Sequence, residues 1–171
     1  MASIICDIRY LQQSDILLIV SAFKDIGWDK PASLYHTYLK EQIAHLRSVW
    51  VAFKEGVFAG YVTLKWNSEY APFHKKNIPE ISDLNVLPHF RKQGIASTLL
   101  DLVEAEARQK SAIIGIGVGL SIDYGNAQKL YVKRGYIPDG NGITYHYQPI
   151  PYGNNTRLDD DLVLWFTKKL T

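Results

Sequence analysis

Residues 83–101, DLNVLPHFRKQGIASTLLD, decide how the rest of the chain is read. An apolar, strand-like segment passes Pro88 and enters a stretch with Ile95, Leu99, Leu102 and Val103 at helical spacing. The spacing predicts a strand followed by an amphipathic helix from about Gly94 to Lys110. The helix start is unusual. First turns favour Asp or Glu because the N-terminal end of the helix dipole is positive. Here the chain reads Arg91, Lys92, Gln93, Gly94, Ile95, Ala96, Ser97, Thr98, with no acid. First-turn N–H groups have no partner inside a helix. Two flanking cations, a glycine that admits close approach and small residues after it suit a bound phosphate or pyrophosphate. The same residues also suit a plain strand-to-helix loop with solvated cations. The P-loop and dinucleotide glycine patterns are absent, which points away from a nucleoside triphosphate or NAD.

Working outward, IICDIRYL reads as a first strand, and Ser14-Asp15 as the cap of a helix that Gly27 stops. Pro31 opens a second helix carrying Leu34, Tyr38, Leu39 and Ile43. In SVWVAFKEGVFAGYVTLKW two β-rich runs flank Glu55-Gly56, the signature of a tight hairpin. A loop with Pro72 and Pro79 leads to the strand EISDLNVL. After the central helix, SAIIGIGVGLS reads as a strand buried on both faces, and a short helix follows from about Gly125 to Arg134. An aromatic segment, NGITYHYQPIPYGNNTR, precedes a last strand in DDDLVLWFTKKL, whose apolar LVLWF either stays buried or pairs across a homodimer. The expectation is one α/β domain over residues 1–171: a mixed, mostly antiparallel sheet of six or seven strands flanked by about four helices.

Composition narrows the function. The 171 residues suffice for one domain with a real core, and 47% apolar against 21% charged residues marks a globular chain. Nineteen basic and seventeen acidic residues give +2, so no global field singles out nucleic acid or an anionic membrane. The lone Cys6 excludes an internal disulfide and a cysteine metal cage. The five histidines, at 36, 45, 74, 89 and 146, do not pair at metal-ligand spacing, so no metal is expected. MASIICDIRY lacks a cationic start and no apolar run reaches spanning length, so a cytoplasmic protein is expected.

NVLPHFRKQGIA resembles the acetyl-CoA signature of the GNAT superfamily of N-acetyltransferases, Arg/Gln-x-x-Gly-x-Gly/Ala, with Arg91, Gly94 and Ala96 at the defining positions. Further on, KLYVKRGY resembles the family's second cofactor motif, and the order of elements matches the fold over essentially the whole chain. The resemblance implies acetyl-CoA as co-substrate. Its pyrophosphate would lie on the turn from Arg91 through Lys92, Gln93, Gly94, Ile95, Ala96 and Ser97, and its pantetheine arm on the backbone of Leu84, Asn85 and Val86. The arm would enter a wedge beside the next strand, where Gly115, Gly117 and Gly119 either ease the splay or serve close packing. Tyr131 aligns with the tyrosine that protonates the departing thiolate, or is a core tyrosine. The family's cofactor-contacting Asn falls at Tyr124, so Asn126 takes over that contact or it is lost.

A primary amine is almost wholly protonated near neutral pH, so something must accept its proton. Glu80 matches the catalytic glutamate of the histone-acetyltransferase branch and shares a face with Val86 on a regular strand. A bulge in that strand would favour Asp83 instead, and either residue also reads as an ordinary strand charge. His74 and His146 fall in loops near the expected acceptor site. Asp159, Asp160 and Asp161 read as a solvated strand entry or as an attractor for a cationic amine. Trp28, Tyr35, Trp66, Tyr70, Phe73, Tyr145, Tyr147 and Tyr152 lie in segments that border the acceptor site in this fold. The expected activity is direct acetyl transfer to a primary amine of a small molecule. The alternatives are a non-catalytic acyl-CoA-binding module and an acetyltransferase for protein lysines or N-termini.

Overall fold

Glu55 and Gly56 both adopt positive φ, 51° and 79°, the left-handed pair that a two-residue hairpin turn needs. They join β2 (Arg47–Lys54) to β3 (Val57–Lys65), and β1 (Cys6–Tyr10) lies antiparallel on the other side of β2. The computed structural model describes residues 6–171, so the start of the first strand expected at Ile4 and Ile5, and the first half of the N-terminal stretch read above, lie outside the described residues.

The chain forms two compact units, one from residues 6–65 and 82–105, the other from 66–81 and 106–171. The first holds β1 to β3, α1 (Asp15–Asp25) and α2 (Ala32–Ile43), with most of β4 (Glu80–Val86) and of α4 (Ile95–Arg108). Its core gathers Ile16, Ile19 and Phe23 of α1, Tyr35 and Tyr38 of α2, and Val49, Val51, Phe58 and Tyr61 of the hairpin. Ser14 makes no side-chain cap on α1. Instead Asp15, 1% exposed, accepts the Gln12 N–H at 2.8 Å and both Arg9 guanidinium nitrogens at 2.7 and 2.8 Å. Burial works against that charge, but these donors outweigh it and hold the carboxyl below its ordinary range. On α4, Ile95, Leu99, Leu100 and Val103 are buried, while Leu102 is only half-buried.

The second unit holds α3 (Ala71–Lys75), β5 (Ile113–Gly119), α5 (Gly125–Lys133), β6 (Ile137–Tyr145), β7 (Gln148–Pro149) and β8 (Leu162–Lys169). Tyr70 stacks on Trp165 with ring centroids 4.2 Å apart, and Phe73 meets both edge-on. β5 pairs with β8 along its whole length, whereas the parallel β4–β5 ladder consists of Glu80–Gly115 and Ile81–Ile116. The glycines of β5 serve packing. A Cβ on Gly115 would strike the Phe73 ring, one on Gly117 the side chains of Val163 and Trp165, and one on Gly119 the Tyr124 ring.

Among the described residues the sheet has eight strands in the order β1-β2-β3-β4-β5-β8-β6-β7 and there are five α-helices, against an expectation of six or seven strands and about four helices. The added helix, α3, is five residues with Pro72 in its first turn, too short for periodicity to show. The added strand, β7, is two residues ending in Pro149 at the sheet edge, where a missing N–H is tolerated. β8 is not available for pairing across a dimer, because β5 and β6 occupy its two sides.

β3 carries a bulge: Ala52 faces Gly60 and Phe53 faces Phe58, so Ala59 is extra and its carbonyl accepts the Leu87 N–H at 2.9 Å. At Gly60 a Cβ would run into the Asn85 carbonyl oxygen and the Val86 Cα, both backbone atoms that cannot rotate away. Gly60→Ala is therefore expected to cost about 1–3 kcal/mol, read as a lower urea midpoint at unchanged m-value. An unchanged midpoint would show that β4 can shift at no cost.

Candidate active site

The turn before α4 is built from two left-handed residues. Lys92 has φ 59° and Gly94 φ 83°, and the helix begins at Ile95. Glycine is needed at 94 for this conformation, and Lys92 adopts it at a cost of about 1–2 kcal/mol. Arg91 is fixed rather than loose. Its Nε donates to the Val86 carbonyl at 3.0 Å, and its guanidinium lies 5.8 Å from the centre of the Trp28 ring. Gln93 is held from two sides, donating to the His89 carbonyl at 3.0 Å and accepting from Lys54 Nζ. Lys54, from the end of β2, is thus a third cation beside Arg91 and Lys92. No acid stands in the first turn of α4. A helix N-terminus without a first-turn acid and with three cations around it fits a pyrophosphate.

A second constellation lies on the hairpin side of β4. Tyr61 and Thr63 are two apart on β3 and share a face. Thr63 Oγ1 lies 2.9 Å from Ser82 Oγ, while Tyr61 Oη donates to Asp83 Oδ2. Consecutive residues of β4 therefore both reach one face, so strict alternation is broken between Ser82 and Asp83, as at a bulge. Asp83 also accepts from Tyr38 Oη at 3.0 Å and from Asn85 Nδ2, and Lys30 Nζ stands 3.8 Å away. Beside this group Arg47, 7% exposed, donates to Thr63 Oγ1 and Ser82 Oγ at 2.7 and 2.6 Å, pairs with Glu41 and lies over the Tyr38 ring. Burial, and after it the Asp83 charge, pushes the hydroxyls of Tyr38 and Tyr61 well above the ordinary tyrosine range, so both remain proton donors. Burial raises Tyr35 in the same way.

Glu80 lies in different surroundings. It is 4% exposed and accepts a hydrogen bond from Ser68 Oγ, which in turn accepts the Tyr70 N–H at 3.0 Å. The Asp83 side chain is 17% exposed. In the second unit Tyr131 is buried on α5, its ring centroid 5.9 Å from that of Tyr136. Asn126 is exposed in the first turn of α5. Tyr124 packs its ring on Gly119 and donates to Asp160 Oδ1 at 2.7 Å, so the position that the family gives to Asn is here a structural clasp.

The three aspartates before β8 are engaged rather than bare. Asp159 accepts from Tyr145 Oη at 2.9 Å, Asp160 from Tyr124, and Asp161 pairs with His146 at 3.3 Å. His74 lies on α3, not in a loop, and is exposed. Of the aromatic residues, Tyr35, Tyr70 and Phe73 are core, Tyr152 is fully exposed, and Trp66 lies under the Lys110 ammonium at 4.1 Å. Sequence reasoning missed Lys30, Tyr38, Tyr61 and Lys54 as site residues. The packing of α2, strand pairing and the α1–α2 loop bring the first three to Asp83, and no local motif marks them. Among the described residues, no group of three or more His, Cys, Asp or Glu is placed to hold a metal ion, and no helix is long and apolar enough to cross a membrane.

Comparison with known proteins agrees with this geometry. Residues 16–136 match the acetyltransferase (GNAT) family. An aminoalkylphosphonate N-acetyltransferase of Salmonella typhimurium is 34% identical over 86 residues, 50% of this chain and 54% of that protein, so the match spans about half the length of this curated relative. An N-acetyltransferase from Staphylococcus aureus superposes with a TM-score of 0.70 at 20% identity, over 97% of this chain and 99% of the other. A ribosomal-protein-alanine N-acetyltransferase from Brucella melitensis gives 0.70 at 20%, over 96% and 99%. A Salmonella typhimurium structure determined with its cofactor acetyl-CoA gives 0.68 at 16%, over 97% and 94%. At these identities the structural likeness speaks for the fold, and the family match covers most of the chain. The chain belongs to the acetyltransferase (GNAT) family.

Proposed function

We propose that this chain transfers an acetyl group from acetyl-CoA directly to the primary amine of a small molecule. The observation that carries the reading is the turn before α4, with left-handed Lys92 and Gly94, no first-turn acid, and Lys54, Arg91 and Lys92 around it. In this reading the backbone N–H groups from Gln93 to Ala96, with Ser97 beside them, hold the CoA pyrophosphate. The backbone of Leu84 to Val86 pairs with the pantetheine arm, and Asn126 takes over the cofactor contact from the Tyr124 position. Because β4 and α4 both run across the boundary between the two units, we read those units as one functional domain.

Acetyl-CoA supplies an activated thioester, and the protein's part is to position the amine and handle its proton. Asp83 is the carboxylate that meets the amine, supported by the break in alternation that turns it toward Tyr61 and Tyr38. Glu80, buried against Ser68, is the rival for the base. Tyr131 gives its proton to the thiolate. Cys6 is not needed as a nucleophile, and burial raises its thiol pKa above the ordinary value, which disfavours the reactive thiolate. The name of the curated relative, an aminoalkylphosphonate N-acetyltransferase, supports a small acceptor.

The reading is tested by incubating the protein with acetyl-CoA and a panel of small amines, following free thiol and product mass. Tight acetyl-CoA binding with no thiol release from any amine, and none from lysine peptides, would make this a non-catalytic acyl-CoA-binding module. Tyr131→Phe is expected to lower kcat at least about tenfold while leaving acetyl-CoA affinity within twofold. Unchanged turnover would remove Tyr131 from the mechanism.

A further inference from the structure

Lys30 sits in a complete ammonium site formed by its own chain. Its Nζ lies 3.1 Å from Tyr61 Oη and 3.8 Å from Asp83 Oδ1, and it stands over the rings of Phe23 and Tyr61 at 5.3 and 5.6 Å. A carboxylate and two aromatic faces are what hold a primary ammonium. All four residues belong to the first unit, with Phe23 on α1, Lys30 in the loop before α2, Tyr61 on β3 and Asp83 on β4. An amine that approaches Asp83 therefore meets a cation already there.

The Lys30 contact is built to be exchanged. At 3.8 Å it is longer than a direct charge-assisted hydrogen bond of about 2.7–2.9 Å. The ammonium rides on a flexible four-carbon stem. Arg47, the other cation near this network, is fixed by Glu41, Thr63 and Ser82 and cannot play this part.

We infer that Lys30 selects acceptors that carry an acid group two or three bonds from the amine, that is, short zwitterions. The inference rests on the transferase reading above. The acceptor's ammonium takes the place of Lys30 between Asp83 and Tyr61, and Lys30 turns to the acceptor's phosphonate or carboxylate. Every charge keeps a partner through this exchange. A diamine of the same length offers no anion, so its binding leaves two or more ammonium groups around one carboxylate. Like-charge repulsion then selects against it. Selectivity thus comes from the displaced lysine as much as from the new contacts.

The test compares 2-aminoethylphosphonate, β-alanine, propylamine and 1,3-diaminopropane as acceptors for the wild-type protein, Lys30→Met and Lys30→Glu. Equilibrium binding of each amine to the CoA-loaded protein is measured alongside kcat/KM. The wild type is expected to favour the two zwitterions over the diamine at least about thirtyfold, and the ratio between the zwitterions tells phosphonate from carboxylate. Lys30→Met, which keeps an apolar stem, should erase most of that preference, and Lys30→Glu should reverse it toward the diamine by at least tenfold. A zwitterion-to-diamine ratio that stays within threefold of wild type in both variants overturns the inference. If the wild type binds acetyl-CoA but acetylates nothing, the transferase reading fails, and the binding measurements still decide the role of Lys30 by the same ratios.

Discussion

Asp83→Asn is expected to lower kcat/KM for the best amine acceptor about 10²–10³-fold while acetyl-CoA affinity stays within threefold. The asymmetry follows from position. Asp83 points its carboxylate at Tyr38, Tyr61, Asn85 and Lys30. None of these belongs to the turn before α4 where the pyrophosphate is proposed to lie. An ionised carboxylate is acceptor-only, and every polar group aimed at Asp83 is a donor. An amide keeps one acceptor and adds an N–H₂ that faces those donors, so both the negative charge and the hydrogen-bond pattern are lost. The matching control is Glu80→Gln, which should lower the melting temperature through its buried contact with Ser68 yet leave kcat/KM within threefold. If Glu80→Gln removes the activity and Asp83→Asn does not, the base is Glu80 and the break in β4 has no catalytic meaning. A pH profile separates two ways in which Asp83 can act. Loss of the acidic limb in the variant marks proton acceptance, whereas a raised KM with that limb intact marks orientation of the amine.

The elements legible in the sequence were those whose signal is local. Glu55-Gly56 between two β-rich runs fixed the hairpin, the spacing of Ile95, Leu99 and Val103 fixed α4, and Gly94 marked a turn that no side chain would favour. α3 and β7 escaped because five and two residues are too few for periodicity to build up. The candidate site divides in the same way. The turn from Arg91 to Ser97 is contiguous and could be read directly. The surroundings of Asp83 come from α2, β2, β3 and the loop before α2, brought together by pairing and by a break in alternation that leaves no mark in composition. The glycines of β5 show the limit from the other side. Their pattern was plain, but it could not be known that the space beside them is filled by Phe73, Trp165 and Tyr124. Asp160 and Asp161 are exposed, as a solvated strand entry is, but nothing nearby in sequence announces Tyr124 and Tyr145 as donors to Asp160 and Asp159.

The protein is expected to unfold in a steep alkaline transition driven by Tyr35, Tyr38 and Tyr61. All three are buried, at 0%, 8% and 0% exposure, and burial is the first cause of their raised pKa values, with the Asp83 charge adding to it. In the unfolded chain each hydroxyl loses its proton near pH 10. The folded state keeps these protons to higher pH, so above about pH 10 it binds more protons than the unfolded state, and stability falls as pH rises. Below that pH the contribution is fully present. Each group contributes a slope of up to about 1.4 kcal/mol per pH unit, and three together about 4. Against an ordinary domain stability of about 5–15 kcal/mol, that slope places the transition about one to four units above pH 10. Because Tyr38 and Tyr61 share the Asp83 carboxylate and Tyr35 reaches Tyr61, the three hydroxyls should titrate as a group, with tyrosinate absorbance rising together with the loss of far-UV circular dichroism. Tyr35→Phe is the informative variant, since its hydroxyl makes only a long 3.5 Å contact with Tyr61. It should change stability at neutral pH little, flatten the alkaline slope by up to about 1.4 kcal/mol per pH unit and move the midpoint upward. Tyrosines that ionise near pH 10 with the fold intact would mean that water reaches the network around Asp83, and the argument that burial holds these hydroxyls as donors would fail with it.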